Sequence, residues 1–190
     1  MIESPSMVLW IAIAVVVLLT LAVVLAYNSL VAKRNRSENG WAQVDVQLRR
    51  RHDLIPNLVE TVKGYAAHEQ DTFKAVTQAR AAAQQAQGPV SQAQAETTLS
   101  GALGRLMAVA EAYPDLRATE NFQQLQAELA DTENKVAIAR QVYNDTVLTF
   151  NNACQQIPTN IVAGIFGFRL REYFTVEGGD AAREPVAVSF

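Results

Sequence analysis

The chain has 190 residues, 49% of them apolar and 18% charged, with a formal net charge of −3 and a single cysteine. That balance argues against nucleic acid as a partner, since recognition of phosphates needs clustered surplus base. One cysteine, Cys154, excludes an internal disulfide and fits a reducing compartment.

Met7 to Ala26, MVLWIAIAVVVLLTLAVVLA, carries no charge, glycine or proline. At 1.5 Å per residue such a run spans roughly 30 Å, the hydrocarbon thickness of a bilayer. A cleaved signal peptide would begin with basic residues, carry a shorter apolar core and end in a small-x-small site. MIESPS ahead of the run has no Lys or Arg, and Ala22 to Ala26 offers a poor site, so a retained anchor is the better reading. Lys33, Arg34 and Arg36 follow the run while only Glu3 precedes it. Because cytoplasmic flanks carry the surplus of Lys and Arg, this predicts the N-terminus outside and the remainder in the cytoplasm. Trp10 and Tyr27 lie near the two ends, where amphipathic rings favour the headgroup level. The basic trio acts either as this topology signal, with its stems snorkelling, or as a contact for anionic lipid.

From Lys33 to Arg51 there are six basic residues against Glu38 and Asp45, whereas His52 to Phe190 holds ten basic and sixteen acidic. The chain divides into a flank (1–6), a transmembrane helix (7–27), a basic stem or hinge (28–40), a helical bundle (41–168) and a tail (169–190). About 150 residues beyond the anchor suffice for one domain with its own core.

Trp41, Val44, Leu48, Arg51, Ile55, Leu58, Val62 and Tyr65 step by three and four, the spacing of a helix packed in a bundle. The phase passes through Pro56, which predicts a kinked continuous helix; a fresh helix capped by Asp53 is the alternative. Phe73 and Val76 resume the stripe, and alanine-rich sequence carries the helix to Gly88-Pro89. Ser37, Asn39 and Gly40 offer a hinge ahead of Trp41, with an unbroken stem as the other option. Ser91 with Gln94 reads as a capping box for a second helix with Leu99, Leu103, Leu106, Met107, Ala110 and Tyr113 on its apolar face. Pro114-Asp115 ends it. Thr119 reads as the cap of a third, running near Ile157 through Phe122, Leu125, Leu129, Thr132, Val136, Ala139, Tyr143, Val147 and Phe150. Asn160 to Phe168 reads as a short apolar element that either packs the bundle's end or touches membrane or a neighbouring subunit, and only the tail's EPVAVSF alternates like a strand. The expected class is all-α: a single N-terminal transmembrane helix, then an antiparallel up-down bundle of three long helices plus a short fourth element.

WAQVDVQLRRRHDLIPNLVETVKGYAAHE, from Trp41 to Glu69, with Ala79-Arg80, resembles the hallmark segment of the LemA family of bacterial membrane proteins. Tyr113-Pro114-Asp115-Leu116, Phe122, Leu125, Leu129, Glu133-Asn134, Ala137 to Arg140, Tyr143-Asn144, Asn151, Pro158, Ile161 to Ala163 and Phe168 are similar to that family's pattern in the same order. The resemblance implies one N-terminal span and a helical bundle, with no assigned activity, cofactor or catalytic residue. Members in magnetosome-forming bacteria imply, by analogy, work in organising membranes. Ala81 to Gln94 departs from the pattern and reads as this chain's own connector.

Catalytic patterns are absent from the sequence. Cys154 has no histidine near it, His52 and His68 are too far apart for a zinc-binding helical pair, and no CxxC, phosphate loop or GxSxG occurs. No cofactor or metal is expected, and both histidines read as structural. Arg51 stands out, because an unpaired buried guanidinium would cost several kcal/mol. Either it pairs across the bundle with Glu133, Asn134 or Asp145 and fixes helix register, or it sits at the stripe's edge with its head in water. Asn57, next to Pro56, either bonds a carbonyl freed by the kink or faces solvent.

The expected function is a non-enzymatic membrane-anchored scaffold whose partners are the lipid bilayer and either further copies of itself or other membrane-associated proteins. The alternatives are a monomeric tethered adaptor or signalling module for a cytoplasmic protein and, behind it, a hydrolase accessory.

Overall fold

The structure, a computed structural model, describes residues 5–175, with side chains from residue 9 onward. The described residues are all-α: α1 Pro5–Lys63, α2 Gln70–Gln85, α3 Pro89–Glu111, α4 Pro114–Arg117, α5 Glu120–Gln155 and α6 Thr159–Ile165, followed by extended chain. They form two compact units. Within the described residues the stem unit comprises 5–39 with Asp145–Arg171, and the core unit Gly40–Asn144 with 172–175. Glu3 and EPVAVSF lie outside the described residues.

α1 begins with the apolar stretch, whose window near the N-terminus is long and apolar enough to cross a membrane. Leu9 to Leu25 expose their large apolar side chains, as a lipid-facing helix would. α1 is helical through Ser37, Asn39 and Gly40. Ser37 is buried and its hydroxyl donates to the Arg34 carbonyl at 2.8 Å, serving its own helix instead of capping a new one. Pro56 also lies inside α1, with its ring exposed.

The first bundle helix ends earlier than the stripe suggests. α1 stops at Lys63, and residues 64–69 form a reversal in which Tyr65 and Ala66 donate their amides to the Val62 carbonyl. Gly64 is a poor helix former, costing about 1 kcal/mol against alanine. Breaking there brings Phe73, Val76, Ala79 and Ala83 of α2 into one apolar core with Ile55, Leu58 and Val62. Burial of four further side chains outweighs a few helical hydrogen bonds. Tyr65, counted into the stripe, is 46% exposed. α2 is therefore a separate helix, packed on α3.

α3 starts two residues before the expected Ser91 cap. Pro89 occupies its first turn and Gly88, at φ +80°, precedes it in the left-handed region that suits glycine. Thr119 sits just ahead of α5, and its hydroxyl donates backwards to the Leu116 carbonyl at 2.7 Å. Leu99, Leu103, Leu106 and Ala110 of α3, Leu116 of α4, and Phe122 and Leu125 of α5 complete the core. In the stem unit a smaller cluster joins Leu30 to Ala153, Val162 and Ala163. The Asn160–Phe168 element is thus two-sided: Val162 and Ala163 are buried, while Ile161, Ile165 and Phe166 are exposed.

Candidate functional site

Arg51 occupies an inward stripe position between Leu48 and Ile55 and is 3% exposed. Its Nη1 donates to Glu96 Oε2 at 3.0 Å, and its Nη2 donates to Ser100 Oγ at 2.9 Å and lies 2.7 Å from Glu133 Oε2. The partner brought from α5 is therefore Glu133, whose side chain is 57% exposed, while the fully buried counter-charge is Glu96 of α3. Asn134 and Asp145 are exposed and their side chains have no partner among the described residues; Asp145 offers only its backbone carbonyl, to Thr149.

Glu96 is shared further. Its Oε1 lies 2.7 Å from His52 Nε2, placed for the ring N–H to donate, and accepts from Gln92 Nε2 at 3.0 Å. The same Gln92 amide donates to the Ala83 carbonyl at the end of α2. Arg51, His52, Gln92 and Glu96 are all buried, so three helices meet in one layer of hydrogen-bonded polar groups inside an apolar core. His52 reads from the sequence as structural, and the carboxylate it meets arrives from α3, 44 residues on. Glu96 could have been found in the sequence. Extending the α3 stripe backwards from Leu99 by three and four lands on Glu96 and Gln92, so α1 and α3 carry opposite charges at inward positions.

Pro56 shapes the neighbouring turn. It has no N–H, so the carbonyl of His52, four residues earlier, loses its helical donor. Arg80 Nε of α2 donates to that oxygen at 2.7 Å. Of the two readings of Asn57, the solvent-facing one applies: it is exposed and its side chain has no partner among the described residues.

A cleft of about 290 Å³ beside the layer is lined by Arg51, Glu96, Ser100, Glu133, Arg140 and Phe174. Its two guanidiniums and two carboxylates cancel, which gives it no preference for either sign of ion. Glu96 already accepts three hydrogen bonds from buried donors, so most of its accepting capacity goes to holding helices together. His68 is exposed in the reversal after α1. Cys154 belongs to the stem unit, against the Leu30 cluster, where burial pushes its thiol above its ordinary value. A thiol so displaced is a weak nucleophile at neutral pH.

At the other sequence-predicted positions, Trp10 is 70% exposed and Tyr27 37% exposed, Lys33 donates to Ser29 Oγ, and Arg34 lies over the Phe168 ring. Arg36 is exposed and unpaired among the described residues. Two asparagines were passed over as site residues. Asn144 exchanges both of its amide groups with the backbone of Phe174, and Asn151 does the same with Arg171. Each holds extended chain as a neighbouring strand would.

Residues 40–190 match the LemA family. Similar chains include the magnetosome protein MamQ 2 of Paramagnetospirillum magneticum, 27% identical over 86% of this chain and 70% of the relative. The magnetosome protein MamQ of Magnetospirillum gryphiswaldense is 27% identical over 78% and 64%, respectively. Protein LemA of Metamycoplasma hominis is 24% identical over 72% and 63%.

Proposed function

The chain belongs to the LemA family, and from that premise we propose that it is a non-enzymatic, membrane-anchored helical scaffold that self-associates at the bacterial inner membrane. The N-terminus lies outside and the core unit in the cytoplasm, as the charge difference across the apolar stretch favours. A membrane location is supported by that stretch and by relatives named as magnetosome proteins.

One observation carries the scaffold reading. In the core unit, α1 and α5 leave an apolar groove of about 470 Å³ lined by Ala42, Val46, Ile138, Ala139 and Val142. Val46, Ile138 and Val142 are 59%, 64% and 44% exposed. A well-packed core has no need to leave branched apolar side chains clustered outside it, and such clusters mark protein contacts. The buried polar layer supports the same reading, since its hydrogen bonds are consumed in joining α1, α2 and α3.

The test is the particle mass of the full-length protein in mild detergent, with detergent mass subtracted. The expected result is a uniform assembly of several chains that Ile138→Glu reduces to a monomer while helix content is kept. A wild-type monomer would overturn self-association and favour a tethered adaptor for another protein.

A further inference from the structure

The stem unit carries apolar and cationic groups around the residue that closes the apolar stretch. Tyr27 packs its ring on Phe166 and Phe168, with centroids 4.8 and 5.7 Å away. Phe168 meets Phe150 at 6.4 Å and carries the Arg34 guanidinium 5.8 Å from its ring centre. These contacts tie the turn after α6 to the level at which α1 passes from apolar to charged sequence. If α1 spans, that level is the headgroup region, where aromatic rings and arginines are at home.

Around this anchor the apolar side chains point outward. Ile157, Ile161, Ile165, Phe166 and Leu170 are 84%, 61%, 72%, 52% and 53% exposed, while Val162 and Ala163 hold the element to Leu30. The exposed set continues the lipid-facing surface of α1 beyond the last residue of its apolar run. Beside it lies a cleft of about 420 Å³ whose lining includes Tyr27, Arg34, Phe168, Arg169 and Arg171. Glu38 pairs with Arg171 and lies 3.9 Å from Arg34 Nε, which leaves two positive charges in surplus. Arg169 is exposed and has no partner among the described residues.

We propose that Ile157–Leu170 lies in the bilayer surface beside α1 and that the arginine cleft receives the phosphate of an anionic phospholipid headgroup. Apolar residues seat the segment at the acyl boundary, and Arg34, Arg169 and Arg171 supply the charge complement. The occupant is the lipid of the membrane that α1 enters, because the apolar surface and the cleft are continuous with that span. This rests on the reading of α1 as a transmembrane helix.

The experiment uses full-length protein with Cys154→Ser, reconstituted in phosphatidylcholine vesicles with and without phosphatidylglycerol. An environment-sensitive fluorophore is placed on Ile165→Cys or, separately, on Val17→Cys. The expected result is quenching of the position-165 probe by lipids spin-labelled near the headgroup, and of the position-17 probe by lipids labelled deep in the chain. A water-like position-165 probe beside a deeply quenched position-17 probe overturns this proposal and leaves the span intact. A water-like position-17 probe overturns the span itself, and the proposal with it. For the cleft, spin-labelled phosphatidylglycerol should quench the position-165 probe more than the phosphatidylcholine analogue, and Arg169→Gln should cut that preference about fivefold, the effect of one basic residue near an anionic surface. Equal quenching by the two lipids, or loss of the preference on adding inorganic phosphate, would overturn the lipid assignment.

Discussion

Arg80 Nε lies 2.7 Å from the carbonyl oxygen of His52, the backbone acceptor that Pro56 leaves without a helical donor. A side chain from α2 thus supplies what the proline removes, and α1 continues past it. Arg80→Ala should destabilise the detergent-solubilised protein by about 1–2 kcal/mol in urea titration, the cost of a buried acceptor left unmet. In a Pro56→Ala background the restored N–H serves that carbonyl. The same Arg80 substitution should then cost less, with a coupling of about 1 kcal/mol between the two sites.

Glu96 and Glu133 both pair with Arg51, yet one side chain is 5% exposed and the other 57%. Removing Glu96 strands a buried guanidinium, so Glu96→Ala should cost about 3–5 kcal/mol. Glu133→Gln should cost at most about 1 kcal/mol, because the Glu133 side chain is more than half exposed and Arg51 keeps Glu96 and Ser100. Replacing the buried pair together, Arg51→Met with Glu96→Leu, should be milder than Glu96→Ala alone. Chemical denaturation of the three variants checks the order.

Only the thiolate of Cys154 reacts with alkylating agents, and burial pushes its pKa up. At pH 8 the native protein should therefore label with iodoacetamide more slowly than the same protein in denaturant. The gap should narrow as pH rises past the displaced value and the native thiol ionises. Equal rates at pH 8, read by mass spectrometry, would show that the thiol is not desolvated.

Trp41 packs its ring on Phe174 at 5.7 Å, and Phe174 is held in place by Asn144. Asn144→Leu removes both backbone hydrogen bonds and should cost about 1–3 kcal/mol. With Trp10→Phe as background, Trp41 emission should shift to the red as Phe174 leaves it. An unchanged spectrum would mean that packing alone holds the segment.

The helical class, the extents of α3 and α5 and most core positions were legible because burial repeats every three to four residues, and Val44, Leu48, Ile55, Leu58 and Val62 keep that period. The reversal at residues 64–69 was not, because the alanine-rich sequence after it reads as helix in either direction of travel. Arg51 announced itself by breaking the stripe. Its buried partner did not, since Glu96 lies two turns into α3 among Gln92, Gln94, Thr97 and Thr98, where a glutamate also reads as part of a solvated face. Arg80 and the two asparagines were hidden for a common reason: each bonds a distant backbone group, and a backbone group leaves no letter in the sequence to pair with.

The asparagine clasps bear on how such proteins diverge. An amide that bonds a peptide group is indifferent to the side chain that group carries, so what Asn144 requires of position 174 is an extended backbone, with Phe174 answering to packing alone. Neighbouring letters can then drift freely while the grip persists. Two chains in which little more than a quarter of the positions agree can fasten this stretch in the same way, and a comparison that counts only matching letters would undervalue it.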